Sequence, residues 1–122
     1  MADTINWYEI PAEDLDRAAA FYGKLYNTTL QIMQLGPLKM AFIPMEGEGV
    51  GGAVVQGDNR APSKIGTMVY LSGGNDLSDI LSRVEGAGGT IEVPKVQINE
   101  EIGYMAIFHD SEGNRIGLHS PN

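Results

Sequence analysis

The chemistry open to this chain is bounded by the reactive side chains it carries. It has no cysteine, which removes disulfides, a thiol nucleophile and thiolate-bound zinc or iron–sulfur clusters. His109 and His119 supply its two imidazoles, and Trp7 is its one indole. Carboxylates and imidazoles can move protons, and an indole offers a flat surface to a planar apolar molecule. Phosphate chemistry fits badly. Sixteen acidic residues against eight basic ones give a formal charge of −8, and no basic cluster offsets it, so nucleic acid and anionic membrane are poor partners. Gly47-Glu48-Gly49-Val50-Gly51-Gly52 does spell G-x-G-x-x-G. A dinucleotide site needs that pattern between a strand and a helix; here Gly51–Gln56 reads as a strand, and Glu46 and Glu48 would repel a pyrophosphate.

Those residues must be held by a fold of 122 residues with 43% apolar and 20% charged side chains, the proportions of one globular domain. The start MADTINWYEI lacks the basic and apolar regions of a signal peptide. No apolar run approaches the roughly 20 residues that span a bilayer. The expectation is a cytoplasmic protein.

The chain repeats itself at an offset of about 62 residues. Trp7-Tyr8-Glu9 precedes Asp14-Leu15 as Val69-Tyr70-Leu71 precedes Asp76-Leu77. Apolar residues then recur at helical spacing in both halves, as Leu15, Ala18, Ala19, Tyr22, Leu25 and as Leu77, Ile80, Leu81, Val84, Ala87. Asp14 and Asp76 are the N-caps. Asn27 and Gly88-Gly89, which tolerate a left-handed backbone, are the stops. Three strand-like runs follow each helix: Thr29–Leu35, Leu38–Ile43 and Gly51–Gln56, then Thr90–Val96, Tyr104–Phe108 and Arg115–Ser120. Each half reads βαβββ. The expected organisation is a single α+β domain over 1–122, with a first module at 4–56, a linker at 57–65 and a second module at 66–120. One half of about 55 residues cannot bury its sheet alone, so the two must pack together around a cavity.

The segment WYEIPAEDLDRAAAFYGKLYNTTL and the ending HDSEGNRIGLHSP resemble the vicinal oxygen chelate superfamily, which includes glyoxalase I, extradiol dioxygenases and the fosfomycin- and bleomycin-resistance proteins. The marks are the Asp-Leu helix start, Ala-x-Phe-Tyr within that helix and Asp-x-x-Gly-Asn before the last strand. The resemblance covers nearly the whole chain. It implies tandem βαβββ modules forming a curved mixed sheet around a cavity, and assembly as a homodimer. In metal-dependent members the ligands come from the first and last strands of each module. Carried over, those positions fall on Trp7, on Ala53 (or Val55), on Val69 and on Gly117. None of these side chains coordinates a divalent cation, so no cofactor is expected at the usual place, while a divalent metal at a displaced site stays open.

Two residues further along each strand, the same face carries Glu9, Val55, Leu71 and His119. Glu9 and His119 are thus candidates for one polar pair inside apolar walls, anchoring a ligand or acting as an acid/base couple. Trp7 beside small residues leaves a slot for an aromatic ligand. Tyr104 is expected at the rim and the loop Lys95–Gly103 over the mouth. His109 is expected at the surface. The reading is a small-molecule binder lined by Trp7, Glu9, Ala53, Val55, Val69, Leu71, Tyr104, Gly117 and His119, without metal. The alternative is a lyase or isomerase of the glyoxalase type that uses Glu9 and His119 for proton transfer, or a displaced metal.

Overall fold

The computed structural model describes residues 3–122. Along the chain run β1 (Trp7–Pro11), α1 (Leu15–Leu25), β2 (Ile32–Leu35), β3 (Leu38–Phe42), β4 (Gly51–Gln56), β5 (Tyr70–Ser72), α2 (Ser78–Leu81), α3 (Val84–Ala87), β6 (Thr90–Asn99), β7 (Gly103–His109) and β8 (Arg115–Ser120). The strands form two four-stranded sheets, ordered β1-β4-β3-β2 and β5-β8-β7-β6. In each, the first strand of the module lies parallel to the last and the other pairs are antiparallel. The repeat read from sequence is therefore two copies of one mixed sheet.

α1 forms where the sequence asks for it. Asp14 accepts a hydrogen bond from the Arg17 amide at 3.1 Å, the N-cap geometry, and Asn27 ends the turn with φ +53°. The second helix is a correction. A continuous helix from Leu77 to Ala87 was expected, and two short ones form instead. The Ser82 hydroxyl donates to the Asp79 carbonyl at 2.6 Å, and the Arg83 amide bonds to Ile80 rather than Asp79. Serine competing for backbone partners is a known cause of such breaks. Asp76 still caps this segment, accepting from the Ser78 amide at 2.9 Å. That bond, with the Lys95 ammonium, holds its carboxyl down at about 2.

One core joins the modules. Leu15, Ala18, Phe21, Tyr22 and Leu25 of α1 pack with Leu71, Leu77, Val84, Ala106, Phe108 and Leu118 of the second half. Burying side chains such as Leu15, Phe21 and Leu25, each at most 1% exposed, contributes about 1.5–3 kcal/mol apiece. The Asp-x-x-Gly-Asn motif is the clasp of this joint. Tyr22 Oη donates to Asp110 Oδ2 at 2.7 Å, and Asn114 Nδ2 donates to the Pro11 carbonyl at 2.7 Å. Glu112 Oε1 accepts from the Glu13 and Asp14 amides at 3.0 and 2.7 Å, so the second module caps the helix of the first. Burial alone would push the Glu112 carboxyl up. Arg17, the Asp14 amide and the Ser111 hydroxyl outweigh it and leave the carboxyl below its usual range. Burial, then Asp110, drives the Tyr22 phenol well above its own. From the far end of α1, the Leu25 carbonyl accepts from Arg83 at 2.9 Å.

Candidate functional site

Both helical sides of the sheets are spent on the core, so the opposite face of each is open to other uses. Strand alternation decides which residues those faces carry. On β1, Ile10 and Tyr8 pack against the core, which turns Trp7, Glu9 and Pro11 to the open face. Their partners on β4 are Gly51, Ala53 and Val55 in register. Ala53 and Val55 are fully buried and form a second apolar cluster with Met40, Leu38 and Phe42. Trp7 stands at the end of this floor. It is 45% exposed and meets Phe42 edge-on at 6.2 Å between ring centroids. Its ring lies so close over Gly51 that a Cβ there would come within 3.0 Å of Cζ3 and 3.1 Å of Met45 Sδ. The strand partner of Trp7 is thus Gly51, neither Ala53 nor Val55.

The second module repeats the device one residue away from the expected place. Val69 and Leu71 belong to the core side, and the open face carries Tyr70 and Ser72, paired with Gly117 and His119 of β8. This corrects both expectations for β5, because a shift of one residue moves a whole strand to its other face. Tyr70, 50% exposed, lies across Gly117 at contact distances that leave no room for a Cβ, as Trp7 lies across Gly51. Tyr104 is a further correction. It packs against the core with the Lys95 ammonium 4.7 Å above its ring. Lys95–Gly103, expected as a loop, is mostly β6, which runs to Asn99.

Glu9 and His119 lie on open faces, as expected, but the structure does not bring them together. Glu9 Oε1 pairs with Arg60 Nε at 3.1 Å, an arginine of the linker that also donates to the Asp58 carbonyl at 3.3 Å. His119 Nε2 donates to the Ile102 carbonyl at the tip of the β6–β7 hairpin. No hydrogen bond joins Glu9 to His119; each is engaged by a partner of its own. Val69 does meet Glu9 at a cleft of about 200 Å³, which Ile65, Thr67 and Arg115 also line.

Sequence reasoning missed a second ionic cluster. His109 Nε2 donates to Glu92 Oε1 at 2.7 Å, and Arg115 grips the same carboxylate through Nε at 2.9 Å and Nη2 at 2.9 Å. Arg115, then His109, holds the Glu92 carboxyl down at about 2. Cross-strand neighbours make this cluster, and the register that aligns His109 with Arg115 is invisible to local pattern. Among the described residues no three His, Asp or Glu side chains converge as a metal-ligand group. The indole, phenol and two glycines at Trp7, Tyr70, Gly51 and Gly117 do not suit a divalent cation.

A sequence model of the Glyoxalase/Bleomycin resistance protein/Dioxygenase superfamily matches residues 4–118. Among solved structures, a glyoxylase/bleomycin resistance protein/dioxygenase domain from Frankia sp. EAN1pec aligns over 100% of both chains with a TM-score of 0.71 at 14% identity. The fosfomycin resistance protein FosX from Listeria monocytogenes covers 100% of this chain and 94% of its own, with a TM-score of 0.66 at 15% identity. Glyoxalase I from Zea mays aligns over 95% of this chain with a TM-score of 0.68 at 16% identity, and the chain spans only 44% of that enzyme. These likenesses show the fold. No curated protein matches the sequence.

Proposed function

The chain belongs to the Glyoxalase/Bleomycin resistance protein/Dioxygenase superfamily, and from that premise we propose that it binds a small hydrophobic or aromatic molecule on its open sheet faces, without the metal used by chelating members. The observation that carries this reading is Trp7, a half-exposed indole at the end of a buried apolar floor of Met40, Ala53 and Val55. A flat aromatic wall beside an apolar surface suits a planar ligand, and Gly51 gives that wall its low neighbour. Arg60–Glu9 supplies one charged edge and His119, with Tyr70 across Gly117, the corresponding elements of the second sheet. Binding as a homodimer in the cytoplasm is part of the same proposal. No helix of the described residues is long and apolar enough to cross a membrane.

The test is a panel of planar apolar compounds followed by Trp7 fluorescence and melting temperature. Saturable quenching that shifts the melting temperature, and that weakens in Phe42→Ala, which removes the ring set edge-on to Trp7, is expected. A panel that leaves both signals unmoved overturns the reading. Incubation with nickel, zinc, manganese and ferrous iron followed by desalting should leave near-zero metal per chain. Stoichiometric metal that disappears in His119→Ala or Glu9→Gln would hand the site to metal chemistry instead.

A further inference from the structure

The two sheets expose four edges, and three of them are guarded. β1 carries Glu9 and Pro11, β5 is three residues long, and β6 carries Glu92, Pro94 and Lys95 with three register shifts. Charge, proline, shortness and bulges are the devices that stop strand edges from pairing with other chains. β2, four residues long, carries no charge, no proline and no bulge. Ile32-Met33-Gln34-Leu35 pairs with β3 without a register shift, and Ile32, Met33 and Leu35 are 44%, 41% and 56% exposed. This edge lies in the longest uncharged run of the chain, the 14 residues from Leu25 to Leu38. On a molecule of charge −8, it is where a second copy meets least like-charge repulsion.

We propose that β2 is the surface on which a second copy of this chain docks, by antiparallel pairing of β2 with β2 across a two-fold axis. This names the interface of the homodimer put forward above and does not depend on the ligand. The hydrogen bonding of β2 fixes the register. The Phe42 amide bonds to the Gln31 carbonyl at 3.1 Å, so Gln31, Met33 and Leu35 turn their backbone groups toward β3, and Ile32 and Gln34 turn theirs outward. A two-fold axis that uses both outward residues passes through Met33. It pairs Ile32 with the partner's Gln34, sets the two Met33 side chains against each other on the open face, and extends sheet β1-β4-β3-β2 into eight strands. On the helical side, Ile32 edges an open groove of about 810 Å³ along α1, lined by Asp16, Ala19, Ala20, Gly23 and Lys24. Its small residues leave room for the partner's Gln34 and neighbouring chain. A four-residue strand pair is small beside the roughly 1,200–2,000 Å² of a standard interface, so a weak dimer that forms only at raised protein concentration is expected.

Sedimentation equilibrium of the full chain, with concentration-dependent hydrogen exchange, tests this. Expected are a dimer at about 100 micromolar and slower exchange of the Ile32 and Gln34 amides as concentration rises. Met33→Lys, which sets two ammonium groups face to face, should weaken the dimer at least roughly tenfold, and Ile32→Lys should weaken it too. Ligand quenching of Trp7 should survive in both, so failure of the ligand reading and failure of this one are separable. A chain that stays monomeric at that concentration overturns the proposal. So does a dimer that neither substitution weakens.

Discussion

Trp7 over Gly51 and Tyr70 over Gly117 are the same arrangement made twice, and each glycine is there because the ring opposite occupies the place of its side chain. Gly117→Ala is accordingly expected to destabilise the fold by about 1–3 kcal/mol, the usual cost of overpacking. In Tyr70→Ala the same change should cost much less. Urea unfolding of the two single variants and the double one measures the difference. At Tyr22 the cost is of another kind: Tyr22→Phe removes the phenol donor to buried Asp110 and should lower stability by about 1–3 kcal/mol. Neither aromatic–glycine pair was fully legible in the sequence. Trp7 and Gly117 were singled out, but Val69-Tyr70-Leu71 is a run of three strand formers with no polar alternation to say which faces the core. A one-residue error there displaced Val69 and Leu71 together. The partner of Glu9 lay further out of reach, because Arg60 sits in a linker whose path only the tertiary structure sets.

Among the elements, those with a local signal came out as read. α1, its Asp14 cap and its Asn27 stop, and the existence of three later strands in each module, needed only spacing and turn residues, although β2 starts at Ile32 rather than Thr29 and β6 runs on to Asn99 through the expected loop. The broken second helix shows the limit, since Ser82 and Gly86 weaken a pattern whose apolar spacing is intact. What periodicity never shows is the side chain that crosses from one element to another. Glu112→Gln leaves the turn in place but removes the charge that caps α1 and grips Arg17. Its cost should be about 1 kcal/mol, that of a lost cap, read from the urea midpoint. The strand cluster around Glu92 predicts the acid response. Glu92 and Asp76 are held at about 2, against ordinary values of 4.5 and 3.8. Each binds its proton more weakly folded than unfolded, so its contribution is complete above about pH 4.5 and is lost as pH falls toward 2. Denaturation midpoints from pH 6 to pH 2 should fall across that window, and Glu92→Gln should flatten the fall.

At the scale of the whole molecule, the two modules share one core rather than touching across a boundary. Far-UV circular dichroism and Trp7 fluorescence should therefore trace a single coincident unfolding transition, although Trp7 belongs to the first module alone. Separate midpoints would show that the halves unfold independently. The clasp has a consequence for how the chain is made. Glu13 and Asp14 reach Glu112 across 99 and 98 positions of sequence, and Tyr22 reaches Asp110 across 88. On a ribosome the first module emerges long before its closing turn. Until that turn appears, α1 stays uncapped from without, Phe21 lacks Phe108 and Tyr22 lacks Asp110, and the unguarded β2 edge is open to neighbours. The interval between synthesis of Leu35 and of Asn114 is when a nascent-chain chaperone would matter most to this protein.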